Sequence, residues 1–242
     1  MGRLASFMPP SYNSDTMGTL FQIKICGVTS VADAQLAAEV GADAIGLNFY
    51  PASKRNVAPE RAAEIAAALP ASIARVGVFV NSPAAEIRRI AELTPLDWVQ
   101  LHGDEPAEIL DELNGLAVIR ALRLGLDSWD DVGQVLAPWI ERADSLGALL
   151  IDAHVPGEYG GTGARAPWGR LQPPRAWAGG LPVILAGGLQ PSNVAEAIAT
   201  TQAEGVDTAS GVERSPGAKD PRLVREFVAA ARAAYSARDA SS

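Results

Sequence analysis

Short apolar runs alternate with Ala-rich stretches of helical period along most of the chain. Residues 22–26, 44–49, 74–79, 98–101, 117–121, 148–152, 183–186 and 206–209 read as strands. Helical stretches follow near residues 31–40, 59–68, 83–93, 106–113, 128–137, 168–177, 191–200 and 220–236. Strict alternation of strand and helix implies a parallel sheet. Eight such units in 242 residues favour closure into a single-domain (β/α)₈ TIM barrel, an α/β fold that typically needs about 250 residues. An open doubly wound sheet is the other arrangement this alternation allows.

Helix start signals support the reading. Ser30 and Asp220 sit where N-caps belong, and Ser82–Pro83 and Glu105–Pro106 mark two more starts. The sixth helical stretch is the weakest, because Pro173 and Pro174 fall inside it. No Pro/Gly/Ser-rich linker divides the chain. The expected organisation is a frayed extension over residues 1–20, a barrel over 21–236 and a tail over 237–242, with Met17 as an alternative start to Met1.

Strand parity then sorts side chains into two layers. Residues i and i+2 share a face, and the helix-facing side of a barrel strand must be apolar. Ile23 and Ile25 therefore point outward and Lys24 and Cys26 inward. The same logic sends Ile45, Leu47, Phe49, Val99, Leu101, Ile119, Leu149, Ile151 and Val206 outward. It leaves Asn48, Gln100, His102, Arg120, Asp152 and Asp207 inward. Each has a plain structural use taken singly: a lone cysteine is usually a small hydrophobe, and Lys24 and Asp207 would serve as counter-ions. Together they form a polar set where branched apolar packing is the norm, near the strand ends that carry barrel active sites. Unpaired burial costs several kcal/mol per group, so a functional reading explains the set better.

Composition narrows the chemistry. Acidic residues outnumber basic ones 28 to 20 and the formal charge is −8, with no basic stripe for nucleic acid. No stretch of 18 apolar residues suggests a membrane span, and the N-terminal segment lacks the apolar run of a secretory signal. Cys26 is the only cysteine, which fits a reducing, cytoplasmic setting.

Three glycine-rich segments follow the last strands: GEYGGTG at 157–163, AGGL at 186–189 and SGVERSPG at 210–217. Barrels often hold phosphate on the loops after strands seven and eight, through glycine N–H groups and a helix start. The AGGL and SGVERSPG segments are the candidates here. The ligand class they suggest is a small anionic phosphate ester.

KICGVT (24–29), NFYPASKRNV (48–57), VGVFVN (76–81), VQLHGDE (99–105), IDA (151–153), YGGTG (159–163), LAGGLQPSNV (185–194) and VDTASGVERSPGAKD (206–220) together resemble the phosphoribosylanthranilate isomerase family. The similarity runs in order from about residue 22 to 230. It implies an Amadori rearrangement of N-(5-phosphoribosyl)anthranilate to 1-(2-carboxyphenylamino)-1-deoxyribulose 5-phosphate. That reaction is the third step from chorismate to tryptophan, run without cofactor or metal by a monomer or homodimer. By the family pattern Cys26 is the general base at C2′ and Asp152 the general acid at the ring oxygen. Arg55 meets the anthranilate carboxylate, where a guanidinium fork suits a planar anion. Lys24, Gln100, His102 and Asp207 complete the substrate site, with Gly187, Gly188, Ser210 and Gly211 at the phosphate.

A free thiol is mostly protonated at pH 7, and inward Lys24 is expected to favour the thiolate; one pKa unit would need about 1.4 kcal/mol. Asp152 faces the opposite demand, since it must hold a proton. One segment departs from the family: ARAPW (164–168) stands where a Lys-Thr-Phe-Asp-Trp-like run is usual, with Pro167 at the aspartate position. Two other readings are weaker. An indole-glycerol-phosphate synthase-like lyase would want glutamates in the inward set, which has none. A non-catalytic phosphate-binding barrel would have no need of Cys26 with Asp152.

Overall fold

The eight apolar runs close on themselves as one parallel barrel in the order β1 to β8. The strands are β1 Ile23–Cys26, β2 Ala44–Asn48, β3 Ala74–Phe79, β4 Trp98–Leu101, β5 Val118–Leu124, β6 Leu146–Ala153, β7 Val183–Leu185 and β8 Gly205–Thr208. The computed structural model describes residues 20–113, 115–124, 132–142, 146–153, 168 and 178–240. Of the frayed extension expected over residues 1–20, residues 1–19 lie outside them and Leu20 packs against the barrel interior. The glycine loop at 157–163 and residues 164–167 of the ARAPW run also lie outside. So does the predicted sixth helix, Trp168 apart.

Seven helices among the described residues pack round the barrel. They are α1 Val31–Glu39, α2 Pro59–Ala67, α3 Ala84–Leu93, α4 Ile109–Glu112, α5 Val132–Ile140, α6 Val194–Thr201 and α7 Pro221–Asp239. Two expected caps form. Ser30 accepts from the Asp33 N–H, and Asp220 accepts from the Arg222 and Leu223 N–H groups, which fixes where α1 and α7 begin. The last helix runs to Asp239, past the end expected from the sequence. Among the described residues no helix is long and apolar enough to cross a membrane.

The core has the two layers that parity predicts. Ile23, Ile25, Ile45, Leu47, Val99, Leu101, Leu149, Ile151 and Val206 are buried against the helices. Phe21, Val76, Trp98, Leu150 and Ile184 fill the barrel interior below the site. This apolar plug confines the inward polar residues to the C-terminal rim.

Strand β5 reverses one expectation. Ile119 lies in the interior cluster, and Arg120 pairs in register with outward Leu101. Adjacent residues in a parallel pair share a face, so Arg120 points into the helix layer and not into the barrel. Two contacts make a charge tolerable there. Its guanidinium donates to buried Glu105 at 2.6 Å and lies 4.6 Å from the centre of the Trp139 ring on α5. Burial nevertheless lowers the Arg120 pKa, against the pull of Glu105. A charged residue on the outer face has to be neutralised, and the partner sits fifteen positions away in sequence.

After β8 the chain makes a 3-10 turn, Ser210–Val212, and an antiparallel hairpin of β9 Glu213–Ser215 and β10 Ala218–Lys219. The sequence shows this stretch only as a glycine-rich loop.

Candidate active site

An open cavity lies at the C-terminal rim, where Cys26, Asn48, Arg55, Gln100, His102, Asp152, Asp207, Gly187, Gly188 and Ser210 all contribute to its wall. Lys24 is fully buried and not part of the wall, and Gly211, in the turn after β8, faces the Leu189 carbonyl and is not part of the wall either. The inward set gathers at one place, Arg120 excepted.

Lys24 is the centre of a buried polar chain. Its Nζ donates to Asp207 Oδ2 and to Gln100 Oε1, both at 2.9 Å. The Gln100 amide nitrogen lies 2.8 Å from His102 Nδ1, and His102 Nε2 lies 3.3 Å from Asp152 Oδ2. The anticipated counter-ion pair of Lys24 and Asp207 is present. Burial works to neutralise the Lys24 ammonium, but Asp207 and Cys26 outweigh it and the pKa is raised. Asp207 Oδ1 is buried with no hydrogen-bond partner among the described residues.

At Cys26 the expected effect of Lys24 meets a larger opposing one. Burial pushes its thiol pKa up, and the opposing pull of Lys24 and Lys219 does not cancel it; Asp207 adds to the rise. Lys24 does favour the thiolate, as expected, but the net shift runs the other way. Removing water from around a thiolate costs more than these two cations return.

Arg55 reaches the rim from the loop after β2. Its Nε and Nη2 donate to the two carboxylate oxygens of Glu213 at 2.9 and 2.7 Å. Nη1 has no hydrogen-bond partner among the described residues, so a bidentate clamp fixes the guanidinium while leaving donors for a ligand. Glu213 also accepts from Lys219 Nζ at 3.0 Å, and Lys219 in turn donates to the Cys26 carbonyl at 2.5 Å. Burial opposes its charge, yet Arg55 and Lys219 hold the Glu213 carboxyl below its usual range. Burial lowers the Lys219 pKa, with Glu213 and Cys26 opposing.

Sequence reasoning missed Glu213 and Lys219 as members of the site. The one available signal was their placement in the SGVERSPGAKD run, whose hairpin brings Lys219 to the Cys26 carbonyl at the C-terminal end of β1.

The turn after β7 carries two consecutive glycines in the left-handed region. Gly187 and Gly188 take φ of 85° and 66°, a region that side-chain-bearing residues avoid. Asn193 locks the turn, accepting from Gln190 N–H at 2.9 Å and donating to the Gly188 carbonyl at 3.0 Å. The β8 loop is tied alongside by Thr208 Oγ1, which donates to the Leu189 carbonyl at 2.7 Å. A Cβ on Gly211 would lie 1.9 Å from that same carbonyl oxygen, so only glycine permits the two loops to touch. No cluster of metal-ligating side chains occurs among the described residues.

Residues 23–230 match the family model described as N-(5'phosphoribosyl)anthranilate (PRA) isomerase. An N-(5'-phosphoribosyl)anthranilate isomerase of Rubrobacter xylanophilus is 45% identical over 213 residues, covering 87% of this chain and 98% of the relative. The crystal structure of phosphoribosyl anthranilate isomerase from Thermotoga maritima is 36% identical, with a TM-score of 0.77, covering 88% of this chain and all of the other. A second such isomerase structure, in complex with reduced 1-(o-carboxyphenylamino)-1-deoxyribulose 5-phosphate, is 35% identical with a TM-score of 0.74, covering 88% of this chain and 100% of that one.

Proposed function

The chain belongs to the N-(5'-phosphoribosyl)anthranilate isomerase family, and on that premise we propose that Cys26 and Asp152 are its proton-transfer pair. It is an isomerase of tryptophan biosynthesis. Its substrate is N-(5-phosphoribosyl)anthranilate and its product 1-(2-carboxyphenylamino)-1-deoxyribulose 5-phosphate. One observation carries the residue assignment: Cys26 and Asp152 line a single cavity with the Gly187–Gly188 turn, Ser210 and Arg55.

The strand order gives the substrate a direction. Strands β7 and β8 flank β1 on one side and β2 flanks it on the other. Phosphate on the β7 and β8 loops and anthranilate carboxylate on Arg55 therefore stretch the ribose across Cys26. Asp152 donates its proton to the ring oxygen, the C1′–O4′ bond breaks, and an open-chain Schiff base forms. The Cys26 thiolate removes the proton from C2′ and the electron pair moves to give the enol-amine. Gain of a proton at C1′ and loss of one from O2′ complete the ketone, so acid and base regain their starting states. Asp207 Oδ1, buried without a partner among the described residues, suits acceptance of a ribose hydroxyl.

The test is the loss of phosphoribosylanthranilate fluorescence, in an assay coupled to removal of product. Purified protein is expected to accelerate the decay. Cys26→Ala and Asp152→Asn are each expected to lower kcat by about a hundredfold or more, the scale of a positioned acid or base. Decay no faster than background with wild-type protein overturns the activity. Near-normal turnover by either variant overturns the assignment of that residue.

A further inference from the structure

Lys24, Gln100, His102 and Asp152 form a chain whose hydrogen-bond directions are fixed from one end. The ammonium of Lys24 has donors and no acceptor, so the atom of Gln100 that meets it at 2.9 Å must be the amide oxygen. The amide NH₂ of Gln100 is then the group facing His102 Nδ1 at 2.8 Å. An NH₂ can only donate, so Nδ1 must accept. A proton on Nδ1 would set two N–H donors face to face inside a buried site. The ring proton is left on Nε2, the atom 3.3 Å from Asp152 Oδ2.

From this geometry we propose that Gln100 is a positioning residue that holds His102 as its Nε2–H tautomer, so that His102 donates to Asp152 Oδ2 and the acidic proton rests on Oδ1. This rests on Asp152 being the general acid, and it adds how the acid is oriented. A carboxylic acid has two oxygens, and only one of them can present its proton to the substrate. A donor held at Oδ2 makes that oxygen the acceptor and turns the O–H of Oδ1 toward the cavity. After the proton leaves, the same N–H stabilises the carboxylate that remains.

His102 Nε2 is buried and makes no aligned hydrogen bond with a described residue. Catalytic hydrogen bonds are often long in the unliganded state and tighten around substrate. The off-line approach to Asp152 fits a contact that closes when the ring oxygen arrives. Lys24 serves this chain without touching the cavity. Its ion pair with Asp207 anchors the ammonium, and the ammonium orients the amide.

Nitrogen-15 NMR of the imidazole ring reads the tautomer directly. The chain has two histidines, and His102→Asn identifies the signal by its disappearance. In wild-type protein at neutral pH, His102 is expected to carry its proton on Nε2 with Nδ1 bare. Gln100→Glu keeps the shape but offers Nδ1 an acceptor, so the proton moves to Nδ1. With it kcat falls by about tenfold or more, part of the roughly hundred- to ten-thousandfold a positioned acid supplies, while KM changes less than kcat. A wild-type ring protonated on Nδ1, or an even mixture of tautomers, overturns the proposal without any variant. So does a Gln100→Glu protein whose tautomer switches while kcat holds. Either result, obtained with wild-type protein that turns over phosphoribosylanthranilate, leaves the isomerase reading intact and removes only the role of Gln100.

Discussion

Cys26 carries two demands that pull apart. It lines the cavity, where burial favours the neutral thiol, and as the proposed base it would have to give up that proton. Its placement was legible from strand parity alone, because Ile23 and Ile25 fix the outer face of β1. The sign of its shift was not. That sign depends on how completely the fold strips water from the sulfur, and on Lys219, a cation 193 residues away that the hairpin returns to its backbone carbonyl. Arg55 shows the same division. Its residue type suits a carboxylate, but its orientation is set by Glu213, 158 positions downstream. Because the chain has a single cysteine, alkylation reads this site without interference. The rate of iodoacetamide labelling of the unliganded protein is expected to rise with pH through a midpoint above that of an ordinary thiol, about 8.5. Lys24→Met removes one of the opposing cations and is expected to move the midpoint higher still. Labelling with a midpoint at or below the ordinary value would show that the cations win, contrary to the direction given above.

Elements divide into those whose neighbours the sequence reveals and those whose neighbours it hides. Strands β1, β4 and β6 show alternation with apolar residues on one face, so their inward residues could be named. On β5 the run Val118–Ile119–Arg120–Ala121 is ambiguous, since placing the charge inward looks cheaper until Glu105 and Trp139 are known. The register on β6 adds to the difficulty, because pairing skips from Leu146 to Ala148 between Val118 and Ile119. The β7 and β8 loops are the converse case. Their glycines are legible in the sequence as a candidate anion site, but only the structure separates glycines that need positive φ from Gly211, which is needed for contact. Gly211→Ala puts a methyl group against the Leu189 carbonyl, and backbone on both sides leaves nothing flexible to yield. Overpacking of this kind costs about 1–3 kcal/mol. If the loops part to relieve it, inorganic phosphate should compete with substrate about tenfold less well, which is about 1.4 kcal/mol of binding. Gly133 on α5 has open space at its Cβ, and Gly133→Ala is the matched control, expected to leave phosphate competition unchanged. Equal phosphate affinity in both variants would place the anion away from the β8 loop.

The whole molecule is a barrel whose lower interior is packed for stability and whose upper interior is charged for chemistry. The first half of that statement could be read from the strict alternation of strand and helix. The second follows from parity, since Lys24, Gln100 and Asp207 stand at the interior positions above Trp98, Leu150 and Ile184. Function is thereby set against stability within one cavity. Breaking a buried ion pair from one side costs about 3–5 kcal/mol, whereas replacing both partners with apolar groups is often neutral or better. Lys24→Met alone strands the Asp207 carboxylate and the Gln100 amide oxygen, and is expected to lower unfolding free energy by about that amount. A typical domain has only about 5–15 kcal/mol in total, so the loss is large. Adding Asp207→Leu removes the stranded charge and is expected to return most of the stability. The Gln100 oxygen stays unpaired, at about 1–3 kcal/mol, so the recovery is incomplete. Activity is not expected to return with the fold, because the double variant lacks both the cation proposed to orient Gln100 and the carboxylate proposed to meet the ribose. Denaturant unfolding and the fluorescence assay on the same three proteins separate the two properties. A double variant no more stable than Lys24→Met would mean that the pair is structural, and one that regains turnover would mean that the upper interior is not charged for the reaction.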